Sequence, residues 1–74
     1  MIELKSWQWH YRIDEDAGKV WAVNHVWKNK KLVERLMLFK GFQRLPEAYE
    51  YLSDVTRWPV WKLRAIAKRM KEKK

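Results

Sequence analysis

The apolar residues of this chain change period once, near Pro46, and that change limits the fold more than any other feature. Before it they recur at every second residue. Trp7, Trp9, Tyr11 and Ile13 fall on one side, and Gln8, His10 and Arg12 on the other, which is the period of a half-buried strand. Asp14-Glu15-Asp16-Ala17-Gly18 reads as a turn, with Gly18 free to take a positive φ. From Lys19 onward Trp21, Val23 and Trp27 alternate with Val20, Ala22 and Val26. A strand apolar on both sides belongs in the middle of a sheet. Lys28-Asn29-Lys30-Lys31 reads as a second turn. Residues 32–42 fit either period: Leu32, Leu36 and Leu38 alternate, yet Leu32, Leu36 and Phe39 also make a helical stripe. The short turn before them favours a strand, which would also give the central strand its second neighbour.

After Pro46 the spacing is helical. Pro46 suits a first helical position and Glu47 and Glu50 suit the positive helix end. Ala48, Tyr51, Leu52 and Val55 project to one side of this helix, and Glu47, Glu50 and Asp54 to the other. Trp58 precedes Pro59 and is pushed out of helical geometry, so the helix ends there and a second begins at Pro59. Val60, Leu63, Ile66, Ala67 and Met70 form the apolar side of that second helix. The expected fold is therefore α+β: a three-stranded antiparallel β-meander (about 4–13, 19–28 and 32–40) packed by two C-terminal helices (about 46–55 and 59–72). It makes one domain over residues 1–74, with 70–74 a fraying tail.

A chain of 74 residues buries only ~60% of the surface its unfolded form exposes, so its stability is marginal. Without cysteine it has neither disulfides nor a thiolate metal site to add stability. Six Trp, three Tyr and two Phe supply the bulk instead. The stripe Trp7, Trp9, Tyr11 is expected to be the face on which the helices pack, with base stacking on a sheet surface as the other use of such residues. No stretch nears the ~20 apolar residues of a membrane span, and no signal-peptide pattern is present, so the cytoplasm is the expected compartment.

Charge points to a partner. The chain carries +8, unevenly: net −2 over residues 1–18, +6 over 19–44, −3 over 45–56 and +7 over 57–74. A polyanion (DNA, RNA or an anionic membrane) is the simplest partner for such a surface, the alternative being that the charge only keeps a Trp-rich protein soluble. A basic helix with tryptophan can also lie on a membrane, but the apolar arc here is narrow, and no membrane is expected. Catalysis is not expected either. His10 and His25 have no cysteine co-ligand, Ser6 and Ser53 sit in no nucleophile motif, and two glycines make no phosphate loop. The acidic turn Asp14-Glu15-Asp16 matches no ligand loop, so neither metal nor cofactor is expected. Trp61 projects away from the apolar side of its helix, between Arg64 and Lys68; it is either a contact residue or packed against the preceding turn or the first helix.

Residues 47–64 carry a resemblance. Ala48, Tyr51 and Leu52, then Val55 and Thr56, then Val60, Lys62 and Leu63 resemble the helix-turn-helix of excisionase and MerR-type DNA-binding domains. The turn here is one residue longer and lacks the usual glycine. The resemblance implies that the second helix enters the major groove. Arg57, Trp61, Lys62 and Arg64 would then lie nearest the DNA. Lys68 and Lys71, with Lys28, Lys30 and Lys31 acting like a wing, would neutralise phosphates. The rival expectation is a protein-binding inhibitor or adaptor that docks on a nucleic-acid-handling machine, as small phage proteins directed against host defence do. The acidic side of the first helix and the density of Trp and Tyr favour it.

Overall fold

The computed structural model describes residues 1–72. Four strands, β1 (Ile2–Lys5), β2 (His10–Asp14), β3 (Lys19–Lys28) and β4 (Lys31–Gly41), form an antiparallel sheet in chain order. Helices α1 (Leu45–Thr56) and α2 (Val60–Glu72) follow. Lys73 and Lys74, part of the expected frayed tail, lie outside the described residues.

The meander has four strands and not three, because the strand expected over 4–13 folds back on itself. The Ser6 N–H donates to the Trp9 carbonyl at 2.8 Å. The Ser6 hydroxyl accepts from the Gln8 and Trp9 N–H groups, both at 3.1 Å. Serine thus offers the backbone a local partner in place of the sheet ladder. Trp7 and Gln8 become the tip of a hairpin, and Trp7 leaves the stripe it would share with Trp9 and Tyr11.

Two further turns close the sheet. Gly18 has φ +64°, and a Cβ there would lie 2.6 Å from the Phe42 carbonyl oxygen, so only glycine fits. Asn29 and Lys30 both have positive φ (52° and 63°). Such a two-residue turn matches strand twist and lays β4 directly on β3. That resolves residues 32–41 as strand. A bulge interrupts the β3–β4 register: Val20 pairs with Lys40 and Trp21 with Leu38, leaving Phe39 as the extra residue. Its ring meets Tyr11 and Tyr51, each at 5.3 Å.

The registers Ile2↔Ile13↔Val20 and Leu4↔Tyr11↔Ala22 define the face that the helices cover. Leu4, Ile13, Val20, Ala48, Tyr49, Leu52 and Leu63 form the buried core, with Trp9, Tyr11 and Trp58 packed around it. In α1 the buried residues are Ala48, Tyr49 and Leu52, while Val55 is exposed. The projection from sequence favoured Val55 and missed Tyr49. Two neighbours set the buried arc: the sheet below, and α2, whose Arg64 lies over the Tyr49 ring at 5.3 Å. In α2 Leu63 is fully buried and Val60, Ile66 and Ala67 pack beside it, as their spacing predicts.

The α1–α2 connection is three residues, Arg57 to Pro59. Arg57 caps α1 in the left-handed region (φ 64°), its N–H bonded to the Ser53 carbonyl. The Ser53 hydroxyl donates to the Trp58 carbonyl at 2.6 Å, and the Trp58 N–H donates to the Thr56 hydroxyl at 3.2 Å. The Pro59 carbonyl accepts from Lys62 and Leu63, which starts α2.

Candidate nucleic-acid interface

Topology decides which of the expected contact residues meet. β3 pairs with β2 only as far as Ala22 and then runs on with β4 to its turn at Asn29-Lys30. The long hairpin therefore projects past the Ser6–Trp9 turn, and the molecule measures 38 × 24 × 24 Å. The Trp58 ring packs edge-on against Trp9, next to that same turn, at 5.2 Å. So α2 begins at the end of the molecule from which the hairpin projects. It finishes at the opposite end, where Met70 and Lys71 lie with Met1, Ile2 and Glu15 around one groove.

The projecting end thus collects Arg57, Trp61 and Lys62 from the helices and Lys28, Lys30 and Lys31 from the hairpin tip. All six are exposed. Three of the six tryptophans point outward here: Trp7 (88% exposed), Trp27 (75%) and Trp61 (71%). Trp61 thus stands out into solvent, whereas Trp58 packs inward on Trp9. Trp7 and Trp27 were not among the expected contacts. Alternation shows that neighbours take opposite faces but not which face the helices cover. Only the Ser6 turn, a weak signal, sets Trp7 apart.

Arg64, Lys68 and Lys71 continue from Trp61 along one stripe of α2. Positions separated by three and four residues fall on one side of a helix, and the ten steps from Trp61 to Lys71 span ~15 Å. This stripe borders the groove with Glu3 and Glu15 at its far side. Burial pushes the Tyr49 phenol above its ordinary value there, although Arg64 pulls the other way. The Lys62 ammonium lies over the Trp58 ring at 4.3 Å, which fixes the start of the helix to the aromatic core.

α2 packs along β1, at one edge of the sheet, and the hairpin tip rises from the other edge. Three strand spacings of ~4.8 Å separate those edges, on the order of 14 Å. Helix and tip are therefore two contact elements at one end, not one patch. Among the described residues, ion pairs join only Glu3 to His10 and Arg12, and Arg12 to Glu34. Among the described residues, none of the eight cations expected to make contact has its charge neutralised that way. Among the described residues no group of three or more His, Asp or Glu is placed to hold a metal ion, and no helix is long and apolar enough to cross a membrane. Compared with known protein families, curated proteins and solved structures, the chain matches none of them.

Proposed function

We propose that this protein binds nucleic acid, duplex DNA foremost, with the end of the molecule that carries the start of α2 and the hairpin tip. One observation carries the reading: unpaired cations and outward indoles from three separate chain segments gather at that end. Phosphates attract the cations, and ordering them releases counterions. The major groove is ~12 Å wide, so a helix seated in it leaves a projection ~14 Å away near a flanking phosphate ridge. The three-residue connection with its left-handed first residue also suits a helix-turn-helix, in which the second helix reads the groove. Trp61, Lys62 and Arg64 would face the bases or their phosphates. Lys68 and Lys71 would track the backbone, with Lys28, Lys30 and Lys31 as the wing.

The test is a fluorescence-polarisation titration of a labelled random-sequence duplex of about 20 base pairs, long enough for one module and its flanks, at low and near-physiological salt. Binding that weakens steeply with salt is the expected result. No binding even at low salt would sink the proposal. The rival reading, an inhibitor or adaptor docking on a protein of a nucleic-acid-handling complex, draws on Glu47, Glu50 and Asp54, which are all exposed along α1. It predicts that Trp61→Ala disrupts function while charge changes at Arg64 and Lys68 do not.

A further inference from the structure

The face of the sheet turned away from the helices has no cover. The registers Glu3↔Arg12↔Trp21↔Leu38, Val23↔Leu36, His25↔Glu34 and Trp27↔Leu32 place these residues on it. Leu32, Leu36 and Leu38 are 57%, 43% and 56% exposed, and Trp27 is exposed beside them. With the half-buried Trp21, these side chains offer on the order of 500 Å² of apolar surface, near the top of the ~300–600 Å² range for the largest patch on a monomer.

The polar groups of this face pair with one another, except the buried His10 Nδ1. Arg12 donates to Glu3 at 2.7 Å and to Glu34 at 3.1 Å, and His10 bonds Glu3 while its ring stacks on His25. Besides His10 and His25, the ionisable residues that alternate onto the face are Lys5, Arg12 and Lys19 against Glu3, Asp14 and Glu34. Their formal charges cancel, although the chain carries +8. The positive excess therefore lies elsewhere. A polyanion has little to hold it here, and a second copy of the same basic protein meets no net like charge.

We infer that two copies of this chain associate through this open sheet face, stacked sheet on sheet about a two-fold axis. Such an interface is isologous, so each copy contributes the same leucines and tryptophans. The apolar area doubles to ~1,000 Å² before any rim is counted, which reaches the size of a specific interface. Stacked sheets lie ~10 Å apart with their inner side chains interleaved. The helices end up on the two outer surfaces, so α2 stays accessible in both copies. The inference stands on the sheet face alone and does not require the nucleic-acid reading.

Sedimentation velocity of the full chain, over a concentration series reaching about 100 μM, a weak-dimer range, tests it at low and high salt. The expected species is a reversible dimer of twice the 9.2 kDa chain mass. It should strengthen with salt, because screening relieves the repulsion between the two positively charged bodies. Leu36→Lys and Leu38→Lys should each weaken it at least about 100-fold, since each change enters a two-fold interface twice. Circular dichroism checks that the variants fold; if they do not, Trp27→Ser, at an exposed position, decides instead. A wild-type chain that stays monomeric throughout overturns the inference, and so does a dimer that the folded variants leave intact. Quenching of Trp27 by an oligothymidylate, in a monomer, would reassign the face to base stacking and overturn it equally.

Discussion

The salt dependence of duplex binding turns the proposed interface into numbers. In the proposed interface eight cations would meet phosphates: Lys28, Lys30 and Lys31 at the hairpin tip, and Arg57, Lys62, Arg64, Lys68 and Lys71 on the helical side. Each phosphate neutralised on duplex DNA contributes ~0.9 to the slope of log K against log salt, so full engagement gives a slope of ~−7. Replacing Arg64 and Lys68 together by Gln should bring the slope to ~−5 and weaken binding roughly 60-fold at ~0.1 M salt by counterion release alone. Replacing Lys30 and Lys31 by Gln tests the wing by the same arithmetic. Both positions of each pair are exposed; Arg64 also lies over the ring of the core residue Tyr49, so thermal unfolding of the α2 pair checks that the fold is kept. Polarisation titrations of the wild type and both double variants at four or more salt concentrations measure all three slopes. A slope that the α2 pair leaves unchanged would refute contact by this helix. A slope unchanged only by the tip pair would remove the wing and leave the helix.

Two predictions concern the fold. Gly18→Ala forces a Cβ to 2.6 Å from the Phe42 carbonyl oxygen at a left-handed φ, so thermal unfolding should report a loss of about 1–3 kcal/mol; an unchanged melting temperature would show that the turn can rearrange. Burial raises the Glu3 carboxyl, but hydrogen bonds from Arg12 and His10 outweigh it and hold the group below its ordinary value of 4.5. Its stabilising contribution is complete above that value and is lost as pH falls through the depressed one. Glu3→Gln should therefore flatten the acid limb of a stability-against-pH profile and leave its neutral part with the weaker, pH-independent stability; an unchanged acid limb would count against this assignment.

Much of this architecture is legible in the residues because local chemistry and packing agree. The alternation around Val20–Trp27, the glycine at 18 and the prolines at 46 and 59 each determine geometry within a few positions. What escapes is set by distant partners. Ser6 breaks a strand through one hydroxyl, and the alternating Trp7, Trp9 and Tyr11 pattern gives no sign of it. Tyr49 is buried because α2 passes over it, which a projection of α1 alone does not contain. Alternation puts Trp21 and Trp27 on one side of their strand, as the register shows, but whether that side meets helices or solvent depends on where the chain goes after residue 41. The candidate contacts behave the same way. Their charge and exposure follow from sequence, whereas the gathering of Arg57, Trp61 and the hairpin lysines at one end follows from the reversal at Trp58-Pro59.

Two of those contacts occupy positions where the backbone favours another residue. Besides Asn29, a type that tolerates the left-handed region, the non-glycine residues with positive φ among those described are Lys30 (63°) and Arg57 (64°). A tight hairpin turn favours glycine at the place of Lys30, and a helix C-terminus favours it at the place of Arg57. Holding an L-residue there costs ~1–2 kcal/mol, part of which glycine returns as lost chain entropy. Lys30→Gly and Arg57→Gly should thus each stabilise the fold by about 0.5–1 kcal/mol, raising the melting temperature by ~2–8 °C. Departures from local preference concentrate at functional sites, and both residues here are exposed cations at the proposed DNA-binding end. The same glycine variants should therefore bind duplex more weakly, and Lys30→Gln and Arg57→Gln should lose the same affinity with no gain in stability. Glycine variants that melt no higher would show that neither turn is strained. Variants that melt higher and bind as tightly as the wild type would show that the strain serves something other than DNA, which would leave the hairpin tip and the helix cap without the role assigned to them.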